Sequence, residues 1–172
     1  LLTGMRIGEI CALKWESISL EEQIIKIKTT MQRLHDYESL DSGKTKIVIS
    51  SPKSDTSARI IPLTDYITNL CRKYTAVPSA YVLTGKSNRF IEPRTLQYKM
   101  EKYVKECNLS GVHFHTLRHT FATRCVEVGF EIKSLSEILG HSSPKITLER
   151  YVHSSLELKR DNMNKLPVVE GL

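Results

Sequence analysis

Three arginines, a lysine, three histidines and a tyrosine stand in five short boxes of this chain. In order these are Thr3-Gly4-Met5-Arg6-Ile7-Gly8-Glu9, Pro52-Lys53-Ser54, His115-Thr116-Leu117-Arg118-His119, Leu139-Gly140-His141 and Glu149-Arg150-Tyr151. Such a set could hold a phosphodiester, attack it and protonate its leaving group without a metal. Arginine stays charged and presents a planar fork that fits phosphate oxygens. A free tyrosine, with a pKa near 10, is a poor nucleophile. Clustered cations would favour its developing phenolate.

Each residue also has a plainer reading. Arg6 alone would be a surface salt bridge. Lys53 would be a solvated turn lysine, with Lys44 and Lys46 close by, and Tyr151 would be a packing residue. His115 and His119 are four apart, as in a helical zinc site, but the zinc-hydrolase pattern needs Glu after the first histidine and Thr116 stands there. A third ligand would have to come from His113, His141 or His153. Glu9, three residues after Arg6, shares its helix face and reads as the group that orients it. His115 and Arg118 are likewise neighbours on one helix face. His119 reads as a structural hydrogen-bonder.

The elements that must position these residues follow from the hydrophobic pattern. Residues 6–13 read as a short helix. Strands are expected over 24–30, 46–51 and 58–63, with 52–57 as the turn between the last two and 32–45 as a polar connection. Tyr66, Ile67, Leu70, Cys71 and Tyr74 mark a helix, and Pro78–Lys86 a connector. Leu96, Met100, Tyr103, Val104 and Cys107 mark the next helix, with Pro93 in its first turn. Leu117, Phe121, Cys125 and Val128 mark another, stopped at Gly129. Ile132, Leu135, Ile138 and Leu139 mark one stopped at Gly140. Ser143-Pro144 starts a short helix ending near Tyr151, and a polar tail helix is expected within 155–172. The fold class is α+β, mainly helical with a small three-stranded antiparallel sheet.

The order and context of the five boxes resemble the catalytic domain of the tyrosine recombinases, the phage-integrase-like family of DNA strand-exchange enzymes, over about residues 3–153. The resemblance implies that fold and a catalytic set of Arg6, Lys53, His115, Arg118, His141 and Tyr151, with Glu9 in support. Tyr151 would attack a DNA phosphate and form a 3′-phosphotyrosine. Lys53 would protonate the leaving 5′-oxygen, and His141 would hydrogen-bond the phosphate. Strand exchange would then pass through a Holliday junction to integrate or excise a mobile element. No cofactor is implied. The implied partners are double-stranded DNA attachment sites, three further copies in a homotetramer, and accessory DNA-bending proteins, with no membrane. The setting would be a bacterial cytoplasm, with the gene carried by the cell, a phage or a transposon. A type IB topoisomerase, which shares the chemistry, and a catalytically silent DNA-binding module are the alternatives.

Composition agrees without deciding. The 172 residues, 40% hydrophobic and 26% charged, suit one domain with a substantial core. A net charge of +6 fits a nucleic-acid partner without requiring one. No apolar run approaches the roughly 20 residues of a membrane-spanning helix. Cys11, Cys71, Cys107 and Cys125 lack paired ligand spacing and read as small buried thiols. The chain opens inside what reads as a structured element, so residues 1–172 are expected to be the catalytic domain of a longer protein whose N-terminal DNA-binding domains lie outside this sequence.

Overall fold

The computed structural model describes residues 2–36, 44–51, 57–151, 159–160 and 163–166. Helix α1 (Ile7–Ala12) comes first, then a 3-10 turn (Trp15–Ser17). The strands are β1 (Ile18–Ser19), β2 (Ile24–Ile27), β3 (Thr30–His35), β4 (Thr45–Ser50) and β5 (Arg59–Pro62). Helices α2 (Asp65–Tyr74), α3 (Pro93–Glu106), α4 (Phe114–Glu127), α5 (Ile132–Leu139) and α6 (Pro144–Tyr151) follow. The class is the expected one, α+β with a three-stranded antiparallel sheet.

The membership of that sheet differs from the expectation. Its order is β1-β2-β5, while β3 and β4 form a separate antiparallel pair. The segments over 46–51 and 58–63 therefore do not pair with each other. β5 joins β2, with Ile25 opposite Ile61, and β4 joins β3, with Met31 opposite Ile49. Four of the six residues of β3, 32–35, lie inside the tract expected to be a polar connection. Of its residues only Met31 is buried, so no apolar alternation marks it. The expected strand over 24–30 breaks after Ile27, and Thr30 begins the new pair. Most of the turn expected over 52–57 and most of the tail helix expected within 155–172 lie outside the described residues.

Three apolar clusters hold the fold. Met5, Leu13, Ile25, Ile27, Ile61 and Leu63 bring the start of the chain onto the three-stranded sheet. Cys11, Ala12, Met31 and Tyr81 join α1 to β3 and to the 78–86 connector. That connector is tied down: Trp15 N–H donates to Ala80 O at 3.0 Å and Val82 N–H to Leu13 O at 2.9 Å. Gly8 allows α1 to lie close on β3, because a β-carbon there would sit 2.6 Å from the Met31 carbonyl oxygen. Ala122, Cys125, Leu135, Leu139 and Tyr151 unite α4, α5 and α6.

Some expected core positions face solvent. Tyr66, Tyr74, Tyr103 and Val128 are exposed. Among the cysteines, Cys11 and Cys125 are buried, Cys71 is half-buried and Cys107 is exposed, since α3 packs with no fully buried residue. The helix signals fared better. Pro93 sits in the first turn of α3, α5 stops on left-handed Gly140, and Ser143 Oγ accepts from Lys145 N–H at 3.2 Å to start α6.

β5 gives a direct test of this packing. Ile61 is 1% exposed and its neighbour Ile60 is 55% exposed. Ile61→Ala should lower unfolding free energy by about 2–5 kcal/mol, the usual cost of emptying a core site. Ile60→Ala should cost less than about 1 kcal/mol. Urea unfolding of the two variants measures the difference.

Candidate active site

The site grows from the end of α5. Gly140 adopts φ 64° and stops the helix; the Gly140 and His141 amides then turn back to Ser136 and Glu137 carbonyls. The next three carbonyls are left without helical partners, as helix ends require. Each takes an arginine. Arg59 Nε donates to Ile138 O at 2.6 Å, an Arg118 terminal nitrogen to Leu139 O at 2.5 Å, and an Arg6 terminal nitrogen to Gly140 O at 2.8 Å. The partial negative charge of a helix C-terminus favours cations there.

Glu9 locks the arrangement from the other side. Arg59 donates through both terminal nitrogens to the two Glu9 oxygens, at 2.7 and 2.9 Å. The Arg6 guanidinium donates to Glu9 Oε1 at 2.9 Å and the Arg6 amide to Oε2 at 2.7 Å. Burial pushes the Glu9 carboxyl up, but the hydrogen bonds and charge of Arg59, with those of Arg6, outweigh it and hold the group below its ordinary value. Arg118 is 4% exposed, and its other terminal nitrogen donates to Gly4 O at 2.6 Å. Burial, then Arg6 and Arg59, push its pKa down to about 10. Three guanidinium charges therefore face one carboxylate, and the excess positive charge favours an anion.

The space for that anion is an open cleft of about 350 Å³, lined by Arg6, His115, Arg118, His141, Ser142 and Arg150 among others. His141 Nδ1 lies 2.8 Å from the Thr147 hydroxyl. Burial, then the nearby arginines, push its pKa down to about 4, so the ring is neutral at ordinary pH. A neutral ring whose Nδ1 takes the threonine proton carries its hydrogen on Nε2, a donor suited to an oxyanion. His115 is also held below its ordinary value, by burial and then by the charges of His119 and Arg118. Among the described residues, no group of three or more His, Cys, Asp or Glu is gathered as a metal site.

The structure thus brings Arg6, Glu9, His115, Arg118 and His141 together. Tyr151 lies next to them but is turned into the α4–α5–α6 core, where its hydroxyl meets His119 Nδ1 at 2.6 Å. Lys53 lies outside the described residues; Ser57, four positions later, lines the cleft. Sequence reasoning passed over three participants. Arg59 is the one charge in an otherwise apolar strand, and that contrast was the available signal. Arg150 stands in the last box but was given no role, and Thr147 carries no local signal, because their roles arise only when α6 folds against the Gly140 loop.

Breaking the buried pair should be costly. Arg59→Met leaves Glu9 without its bidentate partner and should cost about 3–5 kcal/mol. Glu9 has a lower pKa folded than unfolded. Its contribution is therefore present above the unfolded value and is lost as pH falls through the folded one. Glu9→Gln should flatten the acid limb of a stability-against-pH curve measured by urea unfolding. An unchanged acid limb would remove Glu9 from this account.

Comparison with known proteins follows the same lines. Residues 1–157 match the model of the phage integrase family. A tyrosine recombinase of Pseudothermotoga lettingae is 31% identical over 164 residues, covering 95% of this chain and 50% of the relative. The integrase of Staphylococcus phage L54a is 25% identical over 174 residues, covering 96% of this chain and 49% of the phage protein. The chain spans about half the length of these curated relatives. Among solved structures, the Tn1549 transposon integrase in complex with circular intermediate DNA superposes with a TM-score of 0.77 at 23% identity, covering 96% of this chain and 57% of that one. The catalytic domain of bacteriophage HP1 integrase superposes with a TM-score of 0.58 at 21% identity, covering 98% of this chain and 79% of that one. The family match over residues 1–157 runs through all five sequence boxes, and this chain belongs to the phage integrase family.

Proposed function

We propose that residues 1–172 are the catalytic domain of a longer site-specific DNA recombinase, and that Tyr151 is its nucleophile. The observation that carries this reading is a solvent-open cleft ringed by fixed guanidinium groups, with a tyrosine at the end of the adjoining helix. A DNA phosphodiester fits the cleft by charge and by its need for several fixed donors. Tyr151 Oη would pass its proton to His115 and form a bond to phosphorus while the bond to the 5′-oxygen breaks. Arg6 and Arg118 would neutralise charge gathering on the non-bridging oxygens, and His141 would donate a further hydrogen bond. Lys53, in the segment that leads to Ser57, is assigned the proton for the leaving oxygen. The 3′-phosphotyrosine keeps the phosphoryl group activated, and the 5′-hydroxyl of a partner strand then displaces the tyrosine.

The wider setting belongs to the same proposal. The substrates are double-stranded attachment sites, and four copies act on two duplexes through a Holliday junction to move a mobile element. The Tn1549 integrase, bound to a circular intermediate DNA, is consistent with such a substrate. The work would be done on DNA in a bacterial cytoplasm, with accessory DNA-bending proteins shaping the sites. The tail over 155–172 is assigned to contact a neighbouring copy.

In the full-length protein, Tyr151→Phe should abolish the denaturant-resistant adduct with a nicked attachment-site duplex and leave binding nearly intact. Gel analysis after denaturation reads this, and an adduct in the phenylalanine variant would move the nucleophile elsewhere. Arg6→Ala and Arg118→Ala should each slow adduct formation by roughly 10²–10³-fold, the scale of losing one transition-state donor. Equal losses in binding and cleavage would make both arginines ordinary phosphate contacts. The adduct should also form in excess chelator. Exchange between two duplexes, as opposed to relaxation of one, separates a recombinase from a topoisomerase-like activity.

A further inference from the structure

Arg150 and Tyr151 are adjacent on α6, and the Arg150 side chain hydrogen-bonds the Tyr151 phenol. Arg150 lines the cleft. Tyr151 is 8% exposed and packs among Ala122, Cys125, Leu135 and Leu139. Its hydroxyl meets a specific partner there, His119 Nδ1 at 2.6 Å, with the two rings tilted at 50° and their centroids 5.6 Å apart. The His119 ring also stands edge-on to His115, with centroids 4.5 Å apart. We propose that His119 is a positioning residue that latches the Tyr151 hydroxyl in a buried resting place, so that this bond must break before the tyrosine can enter the cleft.

The protonation states favour a latch over a base. Burial pushes the Tyr151 phenol above its ordinary value, against the pull of Arg118 and Arg150. Burial, then the charges of Arg150, Arg118 and His113, holds His119 below its ordinary value. The phenol therefore keeps its proton beside a neutral ring, and the His119 tautomer with hydrogen on Nε2 accepts that proton in a hydrogen bond at Nδ1. A neutral imidazole accepts at one nitrogen while the other carries the hydrogen.

That the latched group is a nucleophile rests on the strand-transfer reading; the latch itself does not, and the test keeps the two apart. In the full-length protein without DNA, tetranitromethane is used as the probe, and nitration is mapped to individual tyrosines by peptide mass spectrometry. Tyr98 and Tyr103, which are exposed, should react readily, and Tyr81, which is buried, should resist. Wild-type Tyr151 should resist as Tyr81 does. His119→Leu should raise Tyr151 nitration roughly fivefold or more, as expected from losing one net hydrogen bond, with Tyr81 still protected. His119→Asn, which keeps an acceptor near the Nδ1 position, should restore protection. Unchanged Tyr151 protection in His119→Leu overturns the latch. If Tyr81 also becomes reactive, the leucine variant has unfolded and His119→Phe decides, because it keeps a ring and lacks the acceptor: protection of Tyr151 there overturns the proposal. A nicked-duplex arm follows the covalent adduct. A faster adduct in His119→Leu supports the latch, and a slower one makes His119 a base and overturns it. Released nitration with no adduct in any protein, wild type included, leaves the latch standing and removes the strand-transfer reading.

Discussion

The buried pair of Glu9 and Arg59 is the constraint on which the site rests. One carboxylate, 2% exposed at its side chain, accepts from two guanidinium groups and one backbone amide. Through it the start of α1, the three-stranded sheet and the end of α5 become one body. Its desolvation is expensive, and full hydrogen bonding offsets that cost. An apolar substitute of similar volume could fill the space. It could not hold Arg6 in place, because the Arg6 guanidinium depends on Glu9 for one anchor and on Gly140 for the other.

The electrostatics of the cleft follow from that framework. Arg6, Arg118 and Arg150 all line it, and mutual repulsion is part of the cost of gathering them. The histidines do not add to it, because burial and the same arginines keep His115, His119 and His141 from charging. They remain neutral donors and acceptors while the arginines carry the field. Donors fixed before the anion arrives need little reorganisation when charge develops, which makes such an arrangement effective in a reaction that builds negative charge.

Much of the site was legible in the sequence because its boxes are local. A histidine and an arginine three apart on α4, or a glycine followed by histidine at a helix stop, carry their geometry in their spacing. The helix boundaries were legible for the same reason, through Pro93, Gly140 and Ser143-Pro144. Strand pairing was not. β4 has a neighbour on each side in the chain, and the choice of β3 over β5 depends on which face meets Met31 and α1, a matter of tertiary packing. Arg59 was hidden likewise: in sequence it is one polar residue in Arg59-Ile60-Ile61-Pro62, and its partners are 50 and 79 residues away. The tract around Lys53 gave a family pattern and no geometry.

The three arginines at the end of α5 are held by main-chain oxygens, and backbone oxygens are the same whatever side chain they belong to. Substituting Ile138 or Leu139 would disturb packing but leave the acceptors where they are. Adding or removing one residue before Gly140 would do the reverse. It would rotate the acceptor ladder by about 100° per residue of helix and offer each guanidinium the wrong oxygen. This stretch of the chain should therefore tolerate changes of identity far better than changes of length, and its length is the part of its sequence that encodes the anion site.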